Sequence, residues 1–473
     1  MSSFDRLTHL DQVLDRLHEQ LAGLETARIT AEQAEKVRLH QKIEDIKAEI
    51  AGFEQEKAGL SNILPDTTQP QVQPQFSSYN AERFAGRERE LGELRSALAA
   101  GKRLLWIHGM TGIGKTTLGE RLAEEALADR VYVAVDCQRD FGGGDFIQGA
   151  IALLGKLGDE SAQQLPTEQV LPYVLKRLGE GRYWVQWDSV EALLAGDCCG
   201  DGLWVQFWEQ FGRSAGTGPM VLTTQALPQD FDREGRLGGA MAMVHLKGLE
   251  ESQVLALFQK AEVVAQTEEE AGYLREIAED FQQHPFILQI TAGEIKLRPF
   301  NGDVGRYWRE YYQKERQQRP KLRQSQREKV EARVQRVIEQ LPEEARRLLL
   351  AGAVFNRAVT EDFYTNLFPL APGGRGGQGV RVAEALELLV ARGLVQERDL
   401  SGSSWLLGQH NLVREAALAR LRQDPAAWEA AHRQAADLWL TRYEPGENAS
   451  NLETVRGYLE AFDHFCTVED WDA

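Results

Sequence analysis

Leu7, Leu10, Leu14, Leu17, Leu21 and Leu24 recur at alternating spacings of three and four, which sets one apolar seam along a helix. A second seam runs through Leu39, Ile43, Ile46, Ile50 and Phe53. Between the seams, Thr30 followed by Gln33 fits a capping box, so a second helix starts there. The pattern predicts a helical hairpin or coiled coil over residues 1–60, suited to packing, self-association or recruitment of a partner. Residues 61–80 lose the period, with Pro65, Pro70 and Pro74 among Gln, Ser and Thr, and read as an extended linker.

From Arg103 the pattern changes to short apolar runs separated by amphipathic stretches. Leu104 to Ile107, Val131 to Val135, Tyr183 to Trp187, Met220 to Thr223 and Met241 to Leu246 read as buried strands. This alternation predicts an α/β domain over residues 81–247, a parallel sheet with helices on both faces. Beyond residue 248 helices dominate, giving an all-α domain at 248–325. Residues 326–422 combine helices with a hairpin, Leu394 to Glu397 and Trp405 to Leu407 around a turn at Asp399 to Ser403, which is winged-helix patterning. Residues 423–473 are helical again. The stretch 313–336 is rich in Lys and Arg, and its plain reading is a solvated linker helix rather than a nucleic-acid surface.

The formal net charge of −18 over 473 residues argues against general nucleic-acid binding, which needs a basic face. No apolar run is long enough to span a bilayer, and Met1 to Arg6 lacks the form of a signal peptide, so the expected location is cytoplasmic. Cys137, Cys198, Cys199 and Cys466 have no zinc-ligand spacing and fit thiols in a reducing compartment.

One segment carries chemistry. Gly109, Met110, Thr111, Gly112, Ile113, Gly114, Lys115 and Thr116 satisfy the phosphate-loop pattern, with a strand before and a helix after, and Thr117 continues into that helix. Its glycines let backbone N–H groups approach phosphate oxygens, and the helix N-terminus adds its positive end. Lys115 would reach the β- and γ-phosphates of ATP or ADP. The Thr116 hydroxyl, with Asp188 at the end of the third apolar run, would hold Mg²⁺.

Further motifs stand in order along the chain: Phe84-Ala-Gly86-Arg87-Glu88, Asp188-Ser-Val-Glu191, Val221-Leu-Thr223-Thr224-Gln225, Leu246-Lys-Gly248-Leu249, His284-Pro285-Phe-Ile-Leu288 and Gln409-His410-Asn411-Leu-Val-Arg414-Glu415. Together with the phosphate loop they resemble the STAND class of P-loop ATPases (signal-transduction ATPases with numerous domains), specifically the NB-ARC type, over about residues 82–422. The resemblance implies that Arg87 lies beside adenine and ribose, that Thr224 and Gln225 face the γ-phosphate, that Pro285 packs on adenine, and that His410 contacts the β-phosphate of ADP. It implies catalytic roles for Asp188 and Glu191. Two positions depart from the family: Gln225 stands where an arginine senses the γ-phosphate, and Ser189 where many members carry a second acid. Both predict slow hydrolysis with binding intact.

The function implied is a switch, closed with ADP and opened by ATP. It would self-associate on activation and recruit an effector through the N-terminal helices, as in bacterial defence or stress signalling. A ligand of unknown kind would act at a C-terminal array of TPR type, which the last residues resemble. A transcription regulator and a constitutive ATPase are the alternatives. DNA binding by the basic stretch would mark the first, and fast unstimulated turnover the second.

Overall fold

The computed structural model describes Lys42, Ile43, Ile46, Lys47 and Gly52, and then Phe76 to Glu469 except 77–78, 128, 160–162, 164, 181, 215–216, 230–234, 236, 319–324, 368–376, 401–403 and 447–450. The chain divides into two compact units, Met1–Val72 and Gln73–Ala473. The described residues of the first unit are helical. The rest of the expected hairpin and most of the linker lie outside the described residues.

In the second unit all five apolar runs form strands: β1 (Leu104–His108), β2 (Val131–Asp136), β3 (Tyr183–Asp188), β6 (Met220–Thr224) and β7 (Met241–His245), with a small hairpin, β4 (Leu194–Ala195) and β5 (Cys198–Cys199), between β3 and β6. The five long strands make one parallel sheet in the order β2-β3-β6-β1-β7. Both faces are covered. Leu104, Trp106, Val133, Val135, Val185 and Trp187 enter one core, and Leu105, Ile107, Trp184 and Val221 enter the other. This period of two, apolar on both sides, is what produced the continuous hydrophobic runs in the sequence.

A third core, continuous from Leu249 to Ala461, unites the helices after β7, a small sheet and the last helices. The small sheet is antiparallel, in the order β8 (Val359–Thr360), β10 (Ser404–Gln409), β9 (Val395–Leu400). Helix Gln326–Glu339 starts at a capping box between Ser325 and Glu328. The stretch 313–336 departs in part from the expectation of a solvated basic helix: Lys314, Arg316 and Arg327 are exposed, but Arg333 is not. Arg333 is 1% exposed, bonds Glu294 and the Tyr307 hydroxyl (3.0 Å), and lies 3.4 Å from Glu315, while Arg336 also pairs with Glu315. Glu294, from an earlier helix, and Glu315, an acid of the stretch itself, offset the charges of these two arginines. Residues 319–324 lie outside the described residues.

Candidate functional site

In a parallel sheet the loops after the strands meet along one edge, where ligands of open α/β folds bind. A cavity of about 1350 Å³ lies there, lined by Thr111 to Thr117, Asp188, Glu191, Gln225, Pro285 and His410 among others. β6 sits between β1 and β3, so the end of each contributes to one site.

The loop after β1 is shaped by its glycines. Gly109 has φ +152°, and a Cβ there would fall 2.6 Å from the Leu246 carbonyl. Gly112 has φ +76°, and a Cβ there would come within 3.1 Å of the Leu412, His284 and His410 side chains. Only glycine permits both the conformation and this approach. Helix Lys115–Ala126 follows directly, buried through Leu118, Leu122 and Ala123. Lys115 Nζ donates to the carbonyls of Gly109 (2.9 Å) and Met110 (3.0 Å). Burial pushes its ammonium below the ordinary lysine value, opposed first by the Glu191 carboxylate and then by Asp188.

Thr116 Oγ1 donates to both oxygens of Asp188, at 2.8 and 2.9 Å, and the Thr223 hydroxyl donates to Asp188 as well. A hydroxyl and a carboxylate in contact at the mouth of a phosphate loop are hard oxygen donors, which fits Mg²⁺. Among the described residues no group of three or more His, Cys, Asp or Glu gathers as a metal site. Thr116 and Asp188 would hold such an ion from the protein side.

Arg87 is buried with a left-handed backbone, φ 75°. Its guanidinium donates to the carbonyls of Ile113 (2.9 Å) and Lys247 (2.8 Å) and pairs with Glu90 at 3.3 Å. In this arrangement Arg87 braces the phosphate loop against the segment after β7. Thr224 donates to the Ala226 carbonyl, 2.6 Å away. Gln225 donates to Glu191 twice, from its backbone N–H (3.1 Å) and from Nε2 (2.8 Å). Pro285 opens helix Pro285–Lys296 at the cavity wall.

His410 caps helix Asn411–Leu421: its Nδ1 accepts the Leu412 N–H at 3.2 Å, which places the proton of a neutral ring on Nε2. The ring stacks on Phe286 with centroids 3.6 Å apart.

Three further contributors were given no role by the sequence, though His284 opens one of its motifs. His284 is fully buried, and its Nε2 lies 3.0 Å from the Thr111 carbonyl, the bond of a ring protonated at Nε2. Burial drops its pKa to about 4, so it is neutral at ordinary pH. Asp136 ends β2 in register with Asp188, and burial, reinforced by the Asp188 charge, raises its pKa to about 6. Arg139 bonds the Asn411 side chain across 272 residues. Beside it, Arg357 pairs with Asp140 (3.3 Å) and Glu460 (2.8 Å). Through its contact with Arg139, Asn411 ties the start of helix Asn411–Leu421 to the helix after β2.

No protein-family model and no curated protein matches the sequence. Solved structures do align with the chain. A signal transduction ATPase with numerous domains and a tetratricopeptide repeat sensor, from Pyrococcus horikoshii, aligns with a TM-score of 0.54 at 17% identity, over 84% of this chain and 50% of that one. The present chain thus spans about half the length of that protein. A Walker-type ATPase of Pyrococcus abyssi aligns at 0.38 and 17% identity, over 73% of this chain and 98% of that one. The Aeropyrum pernix ORC1 protein, solved in complex with DNA, aligns at 0.34 and 19% identity, over 72% and 93%. The fold is that of a P-loop ATPase, of the kind seen in the first of these. No described helix is long and apolar enough to cross a membrane.

Proposed function

We propose that the chain is a nucleotide-dependent switch, closed with ADP and opened by exchange for ATP. The observation that supports this most is the meeting of His284 and His410 at Gly112. His284 begins a helix of the all-α segment, and His410 caps a helix behind the small antiparallel sheet, read here as a winged helix. Side chains from separate modules touch the phosphate loop, so what fills that loop bears on how the modules pack.

In this reading the loop amides, the helix N-terminus and Lys115 hold the phosphates, and Thr116 and Asp188 hold Mg²⁺. The metal, when bound, would neutralise phosphate charge. The Nε2–H of His410 donates to a β-phosphate oxygen, a charge-assisted bond formed only with the winged helix docked. Pro285 lines the wall near adenine, and Arg87 keeps the loop in shape. Arg139 to Asn411, and Arg357 to Asp140, join the α/β domain to the winged helix away from the nucleotide. The likeness to a signal-transduction ATPase with a repeat sensor agrees with this reading. By extension the open form self-associates, the N-terminal helices recruit an effector, and a ligand acts on the C-terminal helices as on a TPR-type array. Cytoplasmic bacterial defence or stress signalling is the setting that the resemblance suggests.

The test is the nucleotide content of purified protein, read by chromatography after denaturation. Stoichiometric ADP supports the closed switch. Protein that carries no nucleotide and fails to bind added ADP overturns it.

A further inference from the structure

Four carbonyls of the phosphate loop are tied back by side chains. Lys115 Nζ donates to those of Gly109 and Met110, the Arg87 guanidinium to that of Ile113, and His284 Nε2 to that of Thr111. Lys115 and Arg87 belong to the α/β domain, whereas His284 comes from the helical segment after it. The turn that delivers His284 is strained. Gln282 and Gln283 both lie in the left-handed region, at φ 51° and 53°. That conformation costs a non-glycine residue free energy and persists only where the surroundings enforce it. Here they do: the Gln283 carbonyl accepts the Leu249 N–H at 2.9 Å, and a Cβ on Gly248 would fall 1.8 Å from the Gln282 carbonyl oxygen. The His284 side chain makes no cap bond to the helix it precedes, so its ring is left to Thr111.

In a trans peptide the C=O and the following N–H point in opposite directions. With the Thr111 carbonyl turned to His284, the Gly112 N–H therefore faces away from it, and among the described residues it meets no backbone carbonyl. Glycine alone holds this peptide loosely. Both signs of φ are open to Gly112, so the plane could turn over and present a carbonyl oxygen, instead of an N–H, to an anion. We propose that His284 is a positioning residue for the nucleotide diphosphate, its Nε2–H holding the Thr111–Gly112 peptide in the orientation that offers the Gly112 N–H to a β-phosphate oxygen; this rests on reading the cavity as an ADP or ATP site. In that reading His410 meets the phosphate directly, and His284 acts on it through the loop backbone. The ring belongs to the helical segment, so the shape of the loop and the docking of that segment are linked by one hydrogen bond.

The experiment compares His284→Gln, His284→Asn and His284→Leu in the full chain. Glutamine carries an amide N–H about as far from the backbone as the imidazole Nε2. Asparagine carries the same group too close to the main chain to reach Thr111, and leucine fills the space without a donor. Affinities for ADP and AMP are measured by displacement of a fluorescent ADP analogue, and bound ADP is observed by phosphorus NMR. His284→Asn and His284→Leu should weaken ADP about tenfold or more, the scale of one hydrogen bond to a charged group. AMP has no β-phosphate, and its affinity should stay unchanged. His284→Gln should bind ADP as the wild type does. The β-phosphorus resonance of bound ADP should move in His284→Asn while the α resonance stays in place. Should His284→Leu fail to fold, the glutamine and asparagine variants, which differ by one methylene, decide the matter. Wild-type ADP affinity in His284→Asn overturns the proposal, as does an equal loss for ADP and AMP, the mark of a role in packing alone, or an unmoved β resonance. A wild-type chain that does not bind ADP instead overturns the reading of the site on which the proposal stands.

Discussion

Replacing His410 by alanine removes three things at once. The first is a helix cap, the bond from Leu412 N–H to Nδ1, worth about 0.5–2 kcal/mol. The second is the stack on Phe286, worth about 0.5–1.5 kcal/mol. Both are lost with or without nucleotide and appear as lower stability of the free protein. The third, on the reading proposed above, is the donor to phosphate, a bond to a charged group worth about 1.5–3 kcal/mol that would be lost only when ADP is bound. That share alone raises the ADP dissociation constant, by about 10- to 150-fold. His410→Asn separates the shares, because asparagine is a good N-cap but too short to replace the ring. It should keep most of the cap and still lose the phosphate bond. The assay is ADP release by stopped flow, beside thermal unfolding of both variants with and without ADP. Faster release in both, with free-protein stability lowered more in His410→Ala, supports the lock. If either variant releases ADP at the wild-type rate, His410 is a helix cap and nothing more.

Lys115→Ala should abolish tight ADP binding, and equal affinity by calorimetry would refute the phosphate-loop assignment. Arg357→Ala removes the cation between Asp140 and Glu460. Hydrogen exchange should then quicken across Arg456–Thr467, and exchange unchanged there would refute the bridge. Stability should depend on His284, whose folded pKa of about 4 lies below the unfolded value of 6.5. A base with a depressed folded pKa contributes stability above the unfolded value and loses it as pH falls. About 3 kcal/mol should disappear between pH 6.5 and 4. His284→Asn should flatten that part of a melting-temperature profile, and an equally steep profile would remove His284 as the cause.

The strands were legible because burial on both faces leaves an uninterrupted apolar run, and the phosphate loop because its chemistry lies within eight consecutive residues. The hairpin Leu194–Cys199 was not, since two-residue strands hold no period. His284 was passed over in favour of its neighbour Pro285, yet its ring bonds the Thr111 carbonyl of the loop. Glu191 was visible as an acid near Asp188. Its link to Gln225 depends on two strand ends meeting in space, which no local pattern encodes. The Arg139 to Asn411 bond has the same character over a longer separation.

The helix Cys137–Phe141 has five residues, far too few to persist alone in water. It is held by the Asp136 cap at its start, by Asn411 on Arg139, and by Lys156 and Arg357 on Asp140. Two of these supports belong to the module that docks on it. Undocking therefore withdraws part of what keeps this turn wound, and its unwinding would release the Asp136 carboxylate from the amides of Gln138 and Arg139. Asp136 lies in register with Asp188 and already feels its charge, so in the proposed switch a loosened Cys137–Phe141 turn would alter the charge balance beside the phosphate loop.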